Sequence, residues 1–414
     1  TAPITNTAAA DTVYVTDGVR KTDGRYVFTK DKTTITTGGA ALPSGVHAAV
    51  TNNDATNPLK INLKGHDLTV AVTGADTKAG IAVIGNAAEI KNAGDLDITA
   101  KGGGATSALS ASSGGTVTVH ARDGKTIKLR AESANPADAA VVQAMNGTVG
   151  KRSAISINGQ VDIEADGTKA SDALRASASD IRIAGGAIRA TGAAKAVHAY
   201  GESATTNEGR VYINVAEDAA GNATGAKENK TVIEGDLSTA GANSKGVINL
   251  GLNTADSSWT GDYTESNDGT VNLWLGGKAV WTGKTGANSR MNLNLLDSGS
   301  TWKVTGSSHI NSIKAGNQRW SNVIDMRATQ DTDRLTIGDF SGKASFYYDN
   351  TVTTTHDDDT DTDKKHVAVK GGEVHVKKAA SDSEITLHTA ANGKWDWTTS
   401  ANAAEQNFNS TVVK

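Results

Sequence analysis

A short phrase recurs along the N-terminal part of this chain. It reads as a small residue, then Val or Leu, then one variable residue, then Ala. The clearest copies are Gly45-Val46-His47-Ala48, Ala108-Leu109-Ser110-Ala111, Val141-Val142-Gln143-Ala144, Ala173-Leu174-Arg175-Ala176 and Ala196-Val197-His198-Ala199, and looser copies are Ala82-Val83-Ile84-Gly85 and Gly246-Val247-Ile248-Asn249. The Val or Leu positions advance by roughly 23 to 37 residues, with one gap of about 50 that fits two units. Repetition at this scale predicts stacked units, each of which buries its apolar face against its neighbours.

The composition favours a thin core over several thick ones. The chain has 414 residues, yet aromatic residues make up only 4% and Gly accounts for 45 residues. A net charge of −4, with no basic run longer than two residues, disfavours a nucleic-acid partner, whose phosphates require clustered Lys and Arg. These features predict a few core side chains per layer, repeated along an axis, and they point to no cofactor.

The chain has no Cys, which suits a protein that crosses an envelope unfolded, because no premature disulfide can form. No apolar stretch reaches the roughly 18 residues of a transmembrane helix. The first residues, Thr1-Ala2-Pro3-Ile4, lack the charged and apolar regions of a signal peptide. We therefore expect a secreted, mature chain from which any targeting or anchoring segment is missing.

Short runs of alternating apolar and polar residues predict strands with one buried face. They include Leu68–Val72, Leu96–Ile98, Val117–Val119, Ile127–Leu129, Ile155–Ile157, Val161–Ile163, Ile181–Ile183 and Val211–Ile213. Turn dipeptides separate the runs, namely Asp123-Gly124, Asn158-Gly159, Asp166-Gly167, Gly185-Gly186 and Asp268-Gly269. Residues 131–144 are Ala-rich, but Pro136 lies within them, so we expect a loop with at most one helical turn.

Two all-β folds fit these strands, a stack of antiparallel hairpins and a parallel β-helix. Hairpins do not need a phrase with a longer period, whereas a β-helix lays three short strands per coil on the coil below. The recurring Val or Leu would then form one inward ladder and the Ala two places later another. The variable residue between them, such as His47 or His198, would face solvent, and metal ligation there is not expected. We predict coils of roughly 20 to 25 residues.

The composition changes near residue 258. All seven Trp and three of the four Phe follow that point. We therefore divide one continuous solenoid into residues 1–257, with lean aliphatic coils, and residues 258–414, with wider, aromatic-filled coils. Because aromatic side chains bury more area per residue, we expect the second part to be the more stable end and the folding nucleus.

The second part resembles the passenger domains of bacterial autotransporters, which include pertactin and self-associating adhesins. The resemblance covers roughly residues 245–390, and residues 1–244 resemble such passengers only in composition. The matching segments are Gly269-Thr270-Val271-Asn272-Leu273, Ala279-Val280-Trp281-Thr282-Gly283, Met291-Asn292-Leu293-Asn294-Leu295, Ser300-Thr301-Trp302-Lys303-Val304-Thr305, Leu335-Thr336-Ile337, Phe340-Ser341-Gly342 with Phe346, and Asp363-Lys364-Lys365-His366-Val367-Ala368-Val369. The resemblance implies a right-handed parallel β-helix whose C-terminal part is an autochaperone-like folding core. It also implies an outer-membrane β-barrel translocator, which this sequence does not contain.

Two segments invite a chemical interpretation that the context disfavours. Asp297-Ser298-Gly299-Ser300 is similar to the nucleophile segment of secreted serine proteases, but Leu296 stands where a Gly is needed, so we expect a turn between coils. The acidic segment His356–Asp363, with His366 beyond it, offers oxygen ligands for Ca²⁺. Its spacing matches neither an EF-hand nor a calcium β-roll, so we expect a solvated loop protruding from one coil, and cation binding by Asp357–Asp363 stays open.

Three further features are also ambiguous. Gly102-Gly103-Gly104 is followed by no Lys-Ser or Lys-Thr pair, so it is not expected to hold phosphate. The pairs Asp95/Asp97 and Asp162/Glu164 place two carboxylates on one strand face, as a polysaccharide-cleaving enzyme would, but so does any solvated strand.

We expect a non-catalytic cell-surface adhesin of the Gram-negative outer membrane, with no catalytic, cofactor or metal site. It would mediate adhesion, aggregation or biofilm formation through weak polar contacts on the side faces of the β-helix. Its partner would be another copy on a neighbouring cell, or a host or bacterial surface glycan or matrix protein. A polysaccharide-active lyase or hydrolase is the alternative, and a structural stalk is a third possibility.

Overall fold

The chain folds into two compact β-rich units. The computed structural model describes residues 2–6, 11–15, 19–22, 25–38, 47–52, 56–202, 207–241, 245–265, 268–354, 365–370, 372–389 and 410–412. The first unit comprises Thr1–Thr224 with Asn229–Asn249, and the second comprises Gly225–Glu228 with Leu250–Lys414. Continuity of the solenoid between these units, and the boundary at residue 257, stay predictions.

Strands make up nearly all of the regular structure up to residue 252. They are β1 (Ala2–Asn6), β2 (Asp11–Val15), β3 (Val19–Thr22), β4 (Arg25–Phe28), β5 (Lys32–Gly38), β6 (His47–Asn52), β7 (Leu59–Asn62), β8 (Asp67–Thr73), β9 (Thr77–Ile84), β10 (Ala87–Ala93), β11 (Leu96–Gly102), β12 (Ser107–Ser112), β13 (Thr116–Ala121), β14 (Thr126–Ser133), β15 (Ala140–Met145), β16 (Ser153–Asp166), β17 (Asp172–Ser177), β18 (Ser179–Thr191), β19 (Lys195–Tyr200), β20 (Gly209–Ile213), β21 (Val215–Glu217), β22 (Ala223–Ala226), β23 (Thr231–Glu234), β24 (Asp236–Ser238) and β25 (Gly246–Leu252). The one helical turn among the described residues is the 3-10 segment Pro136–Asp138, as expected. The expected loop over residues 131–144 is otherwise confined to 134–139, because residues 131–133 belong to β14 and residues 140–144 to β15.

The first unit is a parallel β-helix with three strands per coil. One face is a nine-stranded sheet, in the order β1-β2-β6-β9-β12-β15-β17-β19-β24. Parallel pairing from β6 onward stacks each coil on the one before it. The second face contains β7, β10, β13 and the first halves of β16 and β18. The third face contains β8, β11, β14 and the second halves of β16 and β18. The predicted parallel β-helix is therefore confirmed.

The recurring phrase forms the ladders expected of it. One register position holds Leu109, Val142, Leu174 and Val197 in succession, and a second holds Ala111, Ala144, Ala176 and Ala199. All eight side chains are fully buried. Small Ala side chains therefore lie directly above one another, beside a ladder of larger Leu and Val side chains. This arrangement keeps the core thin.

The ladder position was predicted wrongly for three copies of the phrase. The looser copy at Val83 is shifted by two residues, because Ile81 aligns with Leu109 and Val83 aligns with Ala111. Val50 occupies the ladder position in β6, whereas Val46 lies outside the described residues. After Val197 the ladder continues at Leu237 and not at Val247, because this coil accommodates an additional pair of strands, β21 and β22.

The alternating runs face the core as predicted. In the third face, for example, Leu96 and Ile98 stack on Ile127 and Leu129, and all four are buried.

Coil length varies more than expected. Leu174 aligns with Val197 in the shortest of these coils, whereas Gly186 aligns with Thr231 in a coil almost twice as long. The coil from Leu96 to Ile127 is intermediate. The expectation of coils of roughly 20 to 25 residues is therefore wrong for most of this unit.

Two predicted turns are corners inside long strands. Asn158-Gly159 lies within β16 and Gly185-Gly186 within β18, where the chain passes from one face to the next. Gly186 has a φ of +117°, and a Cβ there would lie 2.3 Å from the backbone nitrogen of Val161. Only glycine fits this corner, because the preceding coil approaches too closely for a side chain.

Antiparallel pairing occurs at the start of the chain. β1 pairs with β2, β2 with β6, and β3 with β4 in antiparallel registers. β4 and β6 also pair in parallel with β7 and β9, so these antiparallel pairs lead directly into the first parallel coils. The hairpin alternative therefore describes this N-terminal segment but not the coils that follow.

The strands after residue 252 form the second unit. They are β26 (Ser258–Thr260), β27 (Thr270–Leu275), β28 (Ala279–Gly283), β29 (Met291–Leu295), β30 (Ser300–Val304), β31 (Ser308–Ala315), β32 (Asn322–Asp325), β33 (Arg334–Ser341), β34 (Lys343–Thr354), β35 (Lys365–Lys370), β36 (Glu373–Ala379), β37 (Glu384–Thr389) and β38 (Ser410–Val412). They stack in two parallel ladders, one through β27, β29, β31, β33 and β36, and one through β26, β28, β30, β32, β34 and β37.

The core of the second unit contains a column of three indoles. Trp259, Trp281 and Trp302 occupy one register position and are fully buried. Neighbouring rings are 4.6 and 4.5 Å apart between centroids and tilted by only 3°. Successive tryptophans of the column are closer in sequence than successive members of the Leu and Val ladder. The coils that carry the column are therefore shorter than those of the Leu and Val ladder, and the prediction of wider coils is wrong for them. Later coils of this unit are longer, since Leu335 aligns with Val374.

The acidic segment connects two antiparallel strands. β34 pairs with β35 from Asp349↔Lys370 to Thr354↔Lys365, so the intervening residues join the ends of this pair. The prediction of a protruding, solvated loop at His356–Asp363 falls on residues outside the described part of the chain. Within the described part, no helix is both long and apolar enough to cross a membrane.

Candidate functional site

Alternating charges form a regular row on the outer surface of the first unit. In the third face, one register position holds Thr99, Arg130, Glu164, Arg189 and Glu234 in successive coils. Arg130 lies 3.5 Å from Glu164, and Arg189 lies 3.2 Å from Glu234. Each charged side chain of the row is therefore paired with an opposite charge in an adjacent coil.

Of the carboxylate pair Asp162/Glu164, Glu164 belongs to this row and Asp162 occupies the neighbouring outward position, opposite Lys128. Both carboxylates contact the guanidinium of Arg130, Asp162 at 3.0 Å and Glu164 at 3.5 Å. Arg130 also donates to the backbone oxygen of Asp162 at 2.8 Å. Because one cation serves both acids and each is more than a third exposed, the geometry is that of a solvated ion-pair ladder.

The pair Asp95/Asp97 is divided between two structural roles. Asp95 accepts a hydrogen bond from the backbone N–H of Thr126 at 3.0 Å, which ties its turn to the next coil. Asp97 lies opposite Lys128 in the adjacent strand. The two carboxylates are therefore close in sequence but have different neighbours.

The variable position of the phrase is more buried than predicted. Gln143 is only 8% exposed, and the side chains of Arg175 and His198 are 11% and 21% exposed. The expectation that this position simply faces solvent is wrong. The side chain of His47, the other histidine of the phrase, lies outside the described residues.

Asp172 organises this part of the face. Its Oδ2 atom accepts from Arg175 Nε at 2.6 Å and contacts His198 Nδ1 at 3.1 Å. Arg175 also donates to the hydroxyl of Ser171. Asp172 is almost completely buried, so two cationic partners compensate for its loss of hydration.

His198 connects three coils. Its Nε2 atom lies 2.6 Å from the backbone oxygen of Ala240, while Nδ1 faces Asp172. Both partners are acceptors, so both ring nitrogens donate and the imidazole is positively charged when both bonds form. Neither nitrogen remains to exchange a proton with a substrate.

The titration of the two groups agrees with this geometry. Burial lowers the pKa of His198, but its hydrogen bond to Asp172 and the charge of that carboxylate raise the pKa more, to above the ordinary 6.5. Burial raises the pKa of Asp172, but the hydrogen bond and charge of His198, with help from Arg175, lower the pKa to below 3.8. Both pKa shifts favour the charged forms of the pair. The sequence signal was only a His in the phrase, since Asp172 lies one coil earlier in the chain.

The protease-like segment is a turn, as expected. Asp297 accepts hydrogen bonds from the backbone N–H groups of Gln318 at 2.9 Å and Asn317 at 3.1 Å. Burial raises the pKa of Asp297, but these bonds and one from Asn322 lower it below its ordinary value. Ser298 accepts from the backbone N–H of Gly277 at 2.8 Å. All four contacts tie the turn between β29 and β30 to neighbouring coils.

The triple glycine is also structural. Gly104 offers its carbonyl oxygen to the hydroxyls of Thr106 at 2.9 Å and Ser133 at 2.6 Å. A phosphate loop needs backbone N–H groups that point outward, whereas here Gly103 N–H donates to Ala75. Among the described residues, no cluster of three or more His, Asp or Glu side chains is placed to hold a metal ion.

An amide row lies on the outer surface of the second unit. Asn292 donates to Asn272 Oδ1 at 3.0 Å, and its own Oδ1 accepts from Asn311 at 2.7 Å and Ser312 at 2.8 Å. These residues belong to successive strands β27, β29 and β31. The repeated Asn beside Leu in the sequence was the signal for this row.

The fold and surface together define a class, the parallel β-helix proteins with regular polar side rows. The chain matches no family model, no curated protein and no solved structure. The resemblance to autotransporter passengers therefore rests on the quoted residues alone.

Proposed function

We propose that this protein is a non-catalytic, surface-displayed adhesin passenger of the autotransporter type. It acts at the Gram-negative cell surface, where a β-barrel translocator outside this sequence anchors it. Its side faces mediate bacterial adhesion, aggregation or biofilm formation. The partner is another copy on a neighbouring cell or a surface glycan or matrix protein.

The observation that carries this proposal is the register of outward polar side chains. The first unit repeats a charged residue at the same position of successive coils, as in Arg130, Glu164 and Arg189. The second unit repeats amides in the same way at Asn272 and Asn292. A partner that lies along either surface meets a polar side chain at the same position of each coil, with alternating charge in the first unit and amides in the second, so individually weak contacts add up.

Display on a non-aggregating bacterium tests the proposal. The chain is fused to an unrelated outer-membrane anchor, and cells are scored for settling and for retention on immobilised glycans and matrix proteins. We expect settling or retention above that of cells displaying the anchor alone. Polar contacts predict that added salt weakens the effect.

Two outcomes would overturn the proposal. The first is a folded, protease-resistant display that neither settles cells nor retains them on any surface. The second is release of reducing or unsaturated sugars from a panel of polysaccharides by the purified chain, which would establish the enzymatic alternative.

A further inference from the structure

A groove lies at one corner of the first unit, where strands of the nine-stranded sheet end. Loops from successive coils line it, around Asn57, Asn86, Gly114 and Lys151, and its volume is about 440 Å³. This volume falls within the range of small-molecule sites. The corner is thus a place in the first unit where a ligand can be partly enclosed.

One loop makes this corner different from its neighbours. Two residues connect β9 to β10 and three connect β12 to β13, whereas seven, 146–152, connect β15 to β16. The longer loop is held by a turn in which Thr148 N–H donates to the carbonyl oxygen of Lys151 at 2.9 Å. It extends over the preceding coils and forms one wall of the groove.

Lys151 reaches across two coils. Its Nζ atom donates to the backbone oxygen of Gly85 at 2.8 Å. The side chain passes directly over Gly114, where a Cβ would lie 2.6 Å from Lys151 Cδ. Gly114 also has a φ of +82°, so glycine serves both the turn and the path of the lysine.

The two cations of the groove differ in their partners. Arg152 is held by Asp180, with Nη2 to Oδ1 at 2.8 Å, and also donates to Asn207. No ion pair among the described residues includes Lys151, whose ammonium contacts there only the uncharged carbonyl of Gly85. The ammonium of Lys151 is therefore available to an anion.

Asn86 supplies an unused acceptor at the same place. Its Nδ2 atom donates to the backbone oxygen of Asn52, while its Oδ1 atom is buried and has no hydrogen-bond partner among the described groups. A buried acceptor without a donor is costly. A ligand hydroxyl would remove that cost once the Asn86 amide turned its oxygen toward the groove.

We propose that this groove binds a carboxylated sugar unit of an acidic polysaccharide. The carboxylate pairs with Lys151, and a ring hydroxyl donates to Asn86 Oδ1. The single positive charge of this ammonium balances the single negative charge of a carboxylate, whereas a phosphate monoester carries a charge of about −2. This inference rests on the proposed adhesin function and names the ligand of one of its surfaces.

Calorimetry with the purified full chain tests the groove. The probes are a hexuronate tetramer, a neutral hexose tetramer, a sulfated hexose tetramer and a tetraglutamate peptide. We expect binding of the hexuronate only, with an affinity that falls as salt rises. Lys151→Gln should weaken binding about tenfold, corresponding to about 1.4 kcal/mol, whereas Lys151→Arg should retain most of it.

Lys125→Gln is the matched control, because it removes the same charge from another exposed turn. Equal affinity of the Lys151→Gln and Lys125→Gln variants would overturn the site. Equal binding of the neutral tetramer or of tetraglutamate would overturn the sugar assignment, and preference for the sulfated tetramer would replace carboxylate with sulfate. Cells displaying Lys151→Gln that still settle would show that the adhesin proposal survives failure of the groove.

Discussion

The two units fill the same kind of coil in different ways. The first unit stacks Leu, Val, Ile and Ala and ties its outer surface with ion pairs, as at Arg130 and Asp162. The second unit stacks indoles at 4.5 to 4.6 Å and ties its surface with Asn amides. The comparison shows that stacked parallel coils can be filled by either set of side chains.

The largest expected difference is in overall stability. The second unit buries three indoles where the first buries small aliphatic residues, so we expect the first unit to unfold at lower denaturant concentration. All seven Trp lie between residues 259 and 397, so Trp fluorescence reports the second unit alone, while hydrogen exchange reports both. Loss of the Trp signal before loss of protection in the first unit would reverse the comparison and exclude the second unit as the folding nucleus.

The next effect concerns the middle of the indole column. Trp281 packs between Trp259 and Trp302 and donates from Nε1 to the backbone oxygen of Gly261 at 3.0 Å. Trp281→Ala should destabilise the second unit by about 3–5 kcal/mol, because it opens a cavity between two stacked rings. Denaturant titration of the remaining Trp emission measures this loss.

Trp320→Ala is the control for that substitution. Trp320 is 54% exposed, so its removal should change stability by less than about 0.5 kcal/mol. Similar losses for both variants would mean that the column contributes no more than a surface ring.

The sequence predicted the regular parts of these layers and missed the irregular ones. Leu109, Val142 and Leu174 were assigned to one ladder because their coils are nearly equal in length. The ladder residue that follows Val197 was predicted wrongly, because two additional strands lengthen that coil and the phrase itself gives no sign of them. The contact between Asp172 and His198 depends on which residues of neighbouring coils lie side by side. Because the coils differ in length, the sequence alone does not show this alignment.

A smaller effect is expected from overfilling the Ala ladder of the first unit. Ala176 is fully buried between Ala144 and Ala199 in the adjacent coils. Ala176→Leu should cost about 1–3 kcal/mol, because a larger side chain forces neighbouring layers apart. Hydrogen exchange should show this loss in the first unit, with Trp emission of the second unit unchanged.

Ala187→Leu provides the comparison on the outer surface. Ala187 lies opposite Asp162 at an outward-facing position and is partly exposed, so a larger side chain there should be tolerated. If both leucines were tolerated equally, the thin, close-packed core inferred for this unit would be incorrect.

The His198 contact should make the first unit sensitive to pH. The pKa of His198 is raised on folding, so its contribution is complete below pH 6.5 and is lost as pH rises through the higher folded value. Hydrogen bonds of charged groups contribute about 1.5–3 kcal/mol, and the partial exposure of the ring places the expected loss at the lower end. Unfolding of the first unit, measured by hydrogen exchange between pH 6 and 9, checks this.

His198→Gln should remove most of that pH dependence. The charged groups that act on the ring are Asp172 and Arg175 on β17. A variant with the same pH profile as the natural chain would assign the dependence to another group.

The smallest effect is expected from the outer ion-pair row. Arg130→Gln removes contacts to Asp162 and Glu164, yet both carboxylates are more than a third exposed, so the loss should be at most about 1 kcal/mol and should shrink as salt rises. Lys128→Gln on the same strand removes an equal charge without removing an ion pair among the described residues, and it should leave stability unchanged. Denaturation of the first unit at low and high salt separates the two variants. A larger loss for Arg130→Gln than for Ala176→Leu would mean that surface charge, and not core packing, is the main source of stability in the first unit.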